Sequence, residues 1–331
     1  MGDGTAERLD EVLQGYRASA VLLAAQRLGV FAALAAGPRA SGELAASLGA
    51  DPRGMRILLD ACVALALLDK EDGRYAAGEI AREHLLAGSP RPRAAMVAHA
   101  ARLYARWGGL VDAVREGRPV AEEAIDPRLA GDEVAFARAM ADVGRESARL
   151  TVDALDLSAV ATALDVGGGP GLYAVEMARR RPDLVVTLLD RPGTLVEARR
   201  NVEAAGLGDR VRTLPGDALR DPLGGPYDLV LTSNLLHIYP PESNRLLVAR
   251  AAAALAPGGC LAVKDFLLDP DRTTPAGGAL FAVNMLVSTE GGDSYTVGEV
   301  TAWAEEAGLT VERVADLTPH SRLLVARREQ R

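Results

Sequence analysis

The sequence predicts an α/β protein, a doubly wound parallel sheet preceded by a helical N-terminal domain. Three observations lead to this prediction. From residue 161 onward, five apolar runs alternate with amphipathic segments, which is the pattern of parallel strands joined by helices. Two further apolar runs, 309–317 and 321–328, flank the segment 318–320 and predict a closing antiparallel hairpin. Residues 16–36 instead carry apolar side chains around most of a helix and therefore need a partner surface.

The length of the chain indicates more than one domain. It has 331 residues, of which 49% are hydrophobic, and this is enough to bury a full core and more than one domain usually contains. We expect a helical N-terminal domain over 1–90, a helical connector over 91–155 and the sheet domain over 156–331.

Cysteine usage and hydropathy bear on the compartment. Cys62 and Cys260 lie far apart, so the sequence has neither a disulfide framework nor the cysteine spacing of a metal site. The first residues lack the apolar region of a signal peptide, and no run reaches ~18 uncharged apolar residues. We therefore expect a cytoplasmic protein with no membrane partner and no metal.

The N-terminal domain has the pattern of a winged helix-turn-helix. Ser41 is placed to cap one helix, and Asp51 followed by Pro52 is a typical start for the next. The segment 67–78 predicts two short strands around a turn at 71–73.

Winged helices often bind DNA, and this alternative has to be weighed. The second helix offers Arg53 and Arg56 near its start and then almost only apolar side chains, which cannot hydrogen-bond to base edges. The net charge of −8 also disfavours a nucleic-acid partner, since binding to a phosphate backbone depends on clustered Lys and Arg. A transcription regulator built on this domain stays open as a disfavoured alternative.

The connector is predicted to be helical, with Trp107 and Phe136 as walls of a core or a pocket and a polar loop over 116–132. The parallel strands of the sheet domain are predicted at 161–166, 184–190, 210–217, 227–234 and 259–266.

The loop after the first of these strands has the sequence of a nucleotide-type site. A dinucleotide fold requires G-x-G-x-x-G or A, but Leu172 stands at the last position. The loop fits D-x-G-x-G-x-G instead, through Asp165, Gly167, Gly169 and Gly171. The proline between the last two glycines also removes a backbone N–H that a pyrophosphate would use. This pattern favours S-adenosylmethionine, whose sulfonium carries a positive charge that suits bare glycine backbone and a nearby carboxylate. A tight turn without a ligand is the alternative.

Acidic residues at the next two strand ends support a nucleoside. Asp190 ends the second strand, where a carboxylate can accept both ribose hydroxyls. Asp217 follows the third strand and is placed to reach the adenine amino group. Either residue alone is also compatible with a helix cap.

Five segments together resemble the S-adenosylmethionine-dependent O-methyltransferases that include plant phenolic and bacterial polyketide enzymes. The segments are "LDVGGGPG" at 164–171, "LLDRPG" at 188–193, "GDAL" at 216–219, "LLHIYPPE" at 235–242 and "LAPGG" at 255–259. The resemblance implies a Rossmann-like methyltransferase sheet and an N-terminal winged-helix domain that forms a homodimer. It also implies that Gly167, Asp190, Asp217 and Ala218 line the cofactor site. A lysine that is frequent in plant members falls at Ser233.

His237 follows the fourth strand, on the edge of the sheet that carries the glycine loop. A neutral imidazole can take the proton of a phenol, which is a poor nucleophile until it is deprotonated. The resemblance implies that His237 is the general base, held in the family by two glutamates. The first corresponds to Asp265, and the second falls at about Ser294, beside Asp293. We expect His84, His99 and His320 to be surface or packing residues.

The acceptor is expected to be a small aromatic or polyketide-type molecule methylated at a hydroxyl. The pocket segments of the family place acceptor contacts at Trp107, Phe136, Met140, Asn284 and Met285. Three alternatives stay open: a relative that binds the cofactor but promotes hydroxylation or decarboxylation, a carbon or nitrogen acceptor, and a DNA methyltransferase. The last is disfavoured because the prolines of "HIYPPES" follow the aromatic residue, whereas enzymes acting on exocyclic amines have them before it.

Overall fold

The computed structural model describes residues 4–121 and 132–330, and the chain divides into one compact unit up to Arg102 and a second from Leu103. Most of the polar loop predicted at 116–132 therefore lies outside the described residues. The boundaries expected near 90 and 155 stay predictions.

The first unit consists of short helices and a three-stranded sheet of order β1-β3-β2. Its elements are α1 (Gly4–Gln14), α2 (Tyr16–Leu28), α3 (Val30–Ala33), β1 (Arg39–Ala40), α4 (Ser41–Leu48), α5 (Pro52–Ala64), β2 (Leu68–Glu71), β3 (Arg74–Ala77) and α6 (Glu79–His84). The predicted winged-helix pattern is present: α4 and α5 are joined by a short turn, and β2 and β3 pair as an antiparallel hairpin. Asp72 and Gly73 form its turn with φ of +47° and +73°, as a two-residue hairpin loop requires.

One of the two predicted helix caps is correct and the other is wrong. Asp51 Oδ1 accepts the N–H of Gly54 at 2.8 Å and caps α5, as expected. Ser41 is not a cap, because α4 already includes it and the N-cap is Ala40. The N–H of Ala40 donates to Glu43 Oε2 at 3.0 Å, so a glutamate in the first turn satisfies the N–H of the N-cap residue.

The second unit is built on a seven-stranded sheet of order β6-β5-β4-β7-β8-β10-β9. The strands are β4 (Thr162–Val166), β5 (Val185–Asp190), β6 (Val211–Pro215), β7 (Tyr227–Ser233), β8 (Leu255–Asp265), β9 (Leu309–Thr318) and β10 (Ser321–Arg328). The first five pair in parallel, whereas β10 pairs antiparallel with both β8 and β9. The predicted parallel sheet and closing hairpin are therefore confirmed.

Further helices belong to this unit. They are α8 (Leu110–Glu116), α9 (Glu133–Asp153), α10 (Leu172–Arg180), α11 (Thr194–Ala204), α12 (Pro241–Ala253), α13 (Ala276–Ser288) and α14 (Val297–Glu306), while α7 (Ala94–Trp107) runs across the division between the units. Two clusters of buried apolar side chains lie on opposite faces of the sheet, and β4 contributes to both because its side chains alternate, with Ala163 in one cluster and Leu164 and Val166 in the other. No helix in the described ranges is both long enough and apolar enough to cross a bilayer.

The topology determines where a ligand can bind. The chain leaves β4 toward β5 and β6 on one side, and then returns to β7 and β8 on the other. Strand order thus reverses between β4 and its neighbour β7, and in open α/β sheets ligands bind outside the carboxyl ends of strands at such a point.

Candidate active site

The glycine loop after β4 adopts backbone conformations that favour glycine. Gly167, Gly169 and Gly171 have φ of +66°, +55° and +79°. A Cβ on Gly167 would also overlap the side chain of Leu235, whereas the space around a Cβ at Gly169 is open to 4 Å. The N–H of Gly167 donates to the carbonyl of Leu189 at 2.8 Å and so holds the start of the loop against β5. The loop is therefore partly accessible at Gly167 and Gly169, with open space beside Gly169.

Asp165 lies beneath this loop and is completely buried. Neither carboxylate oxygen accepts a hydrogen bond from the described residues; the Ala174 N–H favours the charged form without reaching hydrogen-bond geometry. Burial, together with the neighbouring charge of Asp190, raises the pKa of Asp165 to about 7. A buried acid without partners is costly in a folded chain, which points to a group that a ligand is meant to satisfy.

Asp190 ends β5 and holds the loop from the side. Its Oδ2 accepts the N–H of Gly169 at 2.8 Å, and its Oδ1 accepts the N–H of Arg191 at 2.7 Å. Burial raises the pKa of Asp190, partly offset by those two N–H groups. Each oxygen has a further lone pair, so the carboxylate can still accept hydroxyl donors.

Asp217 and Ala218 lie just past the end of β6. Asp217 Oδ1 accepts the N–H of Leu219 at 2.8 Å, so this acid shapes its own turn, while its side chain is 42% exposed. Ala218 is buried, and its carbonyl accepts Arg250 Nε at 2.9 Å. The structure thus places both residues on the edge that carries Asp165 and Asp190.

Two further buried hydroxyls lie at the end of β7. They are Thr232 Oγ1 and Ser233 Oγ. Ser233 pairs in register with Lys264 on β8, whose Nζ donates to Asn234 Oδ1 at 2.8 Å. Burial lowers the pKa of Lys264 to about 8. A lysine in the middle of the apolar run 259–266 is unusual, and sequence reasoning passed over it.

His237 and Asp265 form the closest titratable pair of the site. His237 lies in a short 3-10 helix (Leu236–Ile238) after β7, and Asp265 is the last residue of β8. Their Nδ1 and Oδ1 atoms are 2.7 Å apart, and the side chains are 12% and 3% exposed. Burial alone would raise the pKa of Asp265, but the charge and hydrogen bond of His237 outweigh it and hold that pKa below its usual value. An ionised Asp265 at Nδ1 leaves Nε2 as the imidazole nitrogen that can accept a proton.

The main chain around His237 is held as firmly as its side chain. Asp265 Oδ2 accepts the N–H of Leu236 at 3.1 Å. The buried Asn244 donates to the carbonyls of Leu236 and Tyr239 at 2.9 and 3.0 Å. Tyr295 Oη also donates to the Tyr239 carbonyl. These contacts restrict rotation and translation of the segment that carries the imidazole.

The residues expected to supply a second acid have other partners. Ser294 Oγ donates to the carbonyl of Gly278 at 2.9 Å. The Asp293 carboxylate pairs with Arg272 at 3.2 Å, and the Asp293 N–H donates to the carbonyl of His237 at 3.0 Å. Asp293 therefore binds the main chain of His237.

Sequence reasoning also missed an aromatic pair beside the imidazole. The rings of Phe266 and Phe281 stack with centroids 4.0 Å apart, and the imidazole meets Phe281 edge-on at 4.8 Å. Phe266 follows Asp265 directly and was within reach of a sequence argument. Phe281 lies in the middle of α13 and has no such local signature.

The predicted acceptor contacts fall into two groups. Trp107 Nε1 donates to Asn284 Oδ1 at 3.3 Å, so these two residues meet as a pocket wall would require, and Met285 is buried next to Asn284. Phe136 and Met140 lie on α9, where Phe136 is 45% exposed. The described residues hold no group of three or more His, Cys, Asp or Glu side chains placed for a metal ion. Of the other histidines, His84 Nδ1 lies 2.7 Å from the carbonyl of Arg91, and His320 is exposed.

Comparisons with known proteins identify the family. A family model for the O-methyltransferase domain matches residues 107–310, and one for the O-methyltransferase dimerisation domain matches 10–87. The chain is 35% identical over 310 residues to the 3-hydroxy-5-methyl-1-naphthoate 3-O-methyltransferase of Streptomyces sahachiroi, covering 92% of this chain and 90% of that one. It is 31% identical over 340 residues to the tetracenomycin polyketide synthesis 8-O-methyl transferase of Streptomyces glaucescens, covering 99% and 97%. The crystal structure of human N-acetylserotonin methyltransferase in complex with SAM superimposes with a TM-score of 0.85 at 30% identity, covering 99% of this chain and all of that one.

Proposed function

The chain belongs to the S-adenosylmethionine-dependent O-methyltransferases, and we propose that it methylates a hydroxyl of a small aromatic or polyketide-type acceptor with His237 as the general base. The observation that carries this proposal is the 2.7 Å contact between His237 Nδ1 and Asp265 Oδ1 at the carboxyl edge of the sheet. That edge also bears the glycine loop, so the base and the cofactor site are neighbours in the same unit.

The residues present suit S-adenosylmethionine. The buried, unpartnered oxygens of Asp165, the buried hydroxyl of Ser233 and the open space at Gly169 together offer negative charge, hydrogen-bonding groups and room. Asp190 would hold the ribose and Asp217 the adenine. Ala218 would line the adenine site. The bound cofactor supplies an activated methyl group on a sulfonium, and the carboxylate of Asp165 favours that positive charge.

The base acts on the acceptor hydroxyl. Asp265 holds Nδ1 of His237 and keeps its proton there, so that Nε2 can take the proton of the hydroxyl as the oxygen attacks. An ionised Asp265 then stabilises the imidazolium that forms. A positioned base contributes typically ~10²–10⁴ in rate, while alignment of the reacting atoms contributes roughly 7–11 kcal/mol. The main-chain contacts around His237 serve this proton transfer by holding the segment that carries the imidazole.

An aromatic acceptor fits the surroundings of the base. The stacked rings of Phe266 and Phe281 border the imidazole, and the hydrogen bond between Trp107 and Asn284 joins α7 to α13. The named relatives from Streptomyces act on a hydroxynaphthoate and on a polyketide, and this supports a fused or substituted phenol as the acceptor class. The match to a dimerisation domain supports a homodimer as the working form.

The test is methyl transfer to a panel of phenols, hydroxynaphthoates and polyketide phenols by the wild type and His237→Ala. We expect the variant to be slower by on the order of 10²-fold or more, with the Kd of S-adenosylmethionine unchanged. His320→Ala, at an exposed histidine, is the matched control and should keep full activity. A loss below about threefold in His237→Ala would remove His237 from the mechanism.

Product analysis distinguishes the alternative reactions. A mass increase of one methylene with loss of the phenol O–H identifies O-methylation, whereas a retained hydroxyl identifies carbon or nitrogen methylation. A product that gains oxygen or loses carbon dioxide would identify the non-methylating type. Either of the last two outcomes would contradict the proposal.

A further inference from the structure

The turn formed by residues 289–294 packs directly against the segment that carries the base. A Cβ on Gly292 would overlap the carbonyl oxygen of His237 and would lie 2.6 Å from Thr289 Oγ1. The close approach of residue 292 to the His237 carbonyl therefore requires a glycine at this position. The N–H of the next residue, Asp293, donates to the same His237 carbonyl at 3.0 Å.

The turn is itself fixed at both ends. At its start, the N–H and Oγ1 of Thr289 each donate to the carbonyl of Met285 at 2.8 Å, and the N–H of Gly292 donates to Thr289 Oγ1 at 2.9 Å. At its end, Ser294 is buried and bonded to Gly278. Because Met285 and Gly278 lie on α13, both ends of the turn are anchored to that helix.

Arg272 ties the turn to the next helix. Its Nη1 lies 3.2 Å from Asp293 Oδ2 and 3.5 Å from the carbonyl of Ser294, and its Nη2 lies 2.5 Å from Glu299 Oε1 on α14. The backbone of Arg272 has φ of +59°, a conformation that a residue with a Cβ keeps only where its surroundings hold it. The N–H of Arg272 donates to the carbonyl of Asp269 at 2.9 Å and holds this main-chain turn, while the two carboxylates orient the guanidinium.

We propose that this turn, locked by Arg272, positions the general base by holding the main chain of His237, in place of a second carboxylate on its imidazole. The inference rests on the proposed role of His237. Asp265 alone determines the side-chain hydrogen bond, so a displaced main chain would carry Nε2 away from the acceptor hydroxyl while the pair with Asp265 stayed intact. Gly292, Asp293 and Arg272 are positioning residues in this scheme.

The first experiment is Gly292→Ala, compared with Gly208→Ala, a glycine of the same unit whose Cβ would meet nothing within 4 Å. We expect Gly292→Ala to lower kcat about 10- to 100-fold, because a shift near 1 Å at a reacting group can cost that much. Calorimetry should give a Kd for S-adenosylmethionine within about twofold of wild type, since the cofactor loop follows a different strand. Gly208→Ala should match wild type in both measurements.

A double-mutant cycle separates positioning from general loss of structure. In the His237→Ala background, Gly292→Ala should lower kcat no further, because the group that it displaces is gone. Arg272→Ala should lower kcat in the same way but less, and Arg272→Lys should recover part of it, since lysine can still pair with one carboxylate. Both replacements keep a Cβ, so the backbone strain at this position is the same in each.

The outcomes separate the two proposals. If His237→Ala is slow but Gly292→Ala and Arg272→Ala have wild-type kcat, the positioning role is refuted and the base stands. The positioning role is equally refuted if the Gly292→Ala loss persists at full size without His237. If His237→Ala itself has wild-type kcat, both proposals fall together. If Gly292→Ala does not fold, the kcat values of Arg272→Ala and Arg272→Lys still test the positioning role.

Discussion

Replacing the buried acid beneath the glycine loop should make the protein more stable at high pH. In the folded chain the pKa of Asp165 is about 7, against 3.8 for an ordinary aspartate. Between these two values the folded state keeps the proton while the unfolded chain has lost it. The folded state then binds more protons than the unfolded one, so the stability contributed by this group falls as the pH rises through this window. Asp165→Asn removes the titration.

The size of the effect follows from the two pKa values. The cost of keeping Asp165 in the fold, relative to its state at low pH, is about 2 kcal/mol at pH 5 and about 4 kcal/mol at pH 8. The difference in stability between Asp165→Asn and wild type should therefore grow by about 2–3 kcal/mol between these pH values. In a unit of this size that corresponds to a relative rise in Tm of roughly 5–10 °C.

The assay is the Tm of both proteins without cofactor, measured from pH 5 to pH 8. The asparagine introduces its own packing and hydrogen-bonding change, but that offset does not depend on pH. The test is therefore the slope of the Tm difference between Asp165→Asn and wild type against pH. The matched control is Asp217→Asn, at a half-exposed acid on the same edge of the sheet. A difference that is flat across this range would show that Asp165 is already ionised at pH 5, and the reasoning from its burial would be wrong.

Three further predictions follow from the same structure. Because the ionised form of Asp165 suits a sulfonium, the Kd of S-adenosylmethionine should fall about tenfold between pH 6 and pH 8 by calorimetry, whereas that of adenosylhomocysteine, whose sulfur is an uncharged thioether, should stay level. Asp265→Asn should lower kcat on the order of 10²-fold with unchanged cofactor affinity, since His237 loses the charge that stabilises its imidazolium; equal kcat values would contradict this. Asp51→Ala should destabilise the N-terminal unit by ~1 kcal/mol in thermal unfolding, while Ser41→Ala, which removes no cap, should change little.

The sequence allowed the strands and the cofactor loop to be predicted because both depend on local patterns. Each predicted strand agrees with an observed one to within a few residues, since short apolar runs between helical segments usually form buried strands. The left-handed backbone at Gly167, Gly169 and Gly171 follows from the residue type itself. The roles assigned to these residues, the domain boundaries and the cytoplasmic location stay predictions.

The parts that were missed or mistaken depend on contacts between distant segments. Ser41 is not the cap of α4 because the helix begins one residue earlier than the serine pattern indicates, with Ala40 as the N-cap. The bond from Asp293 to the His237 carbonyl joins residues 56 positions apart and involves a backbone N–H, which carries no residue-type signature. Phe281 reaches the imidazole only because α13 packs near the 3-10 helix. Such contacts become visible only once the strands are ordered in space.

The chain has two tryptophans, and their fluorescence reports on different parts of the second unit. Trp303 is buried against Tyr295, with ring centroids 4.9 Å apart, in the core that covers one face of the sheet. Trp107 is half-buried and bonded through its indole to Asn284. Emission from Trp303 therefore reports on the packing against the sheet, whereas emission from Trp107 reports on its contact with α13, so the two indoles follow different parts of the unit without an added label.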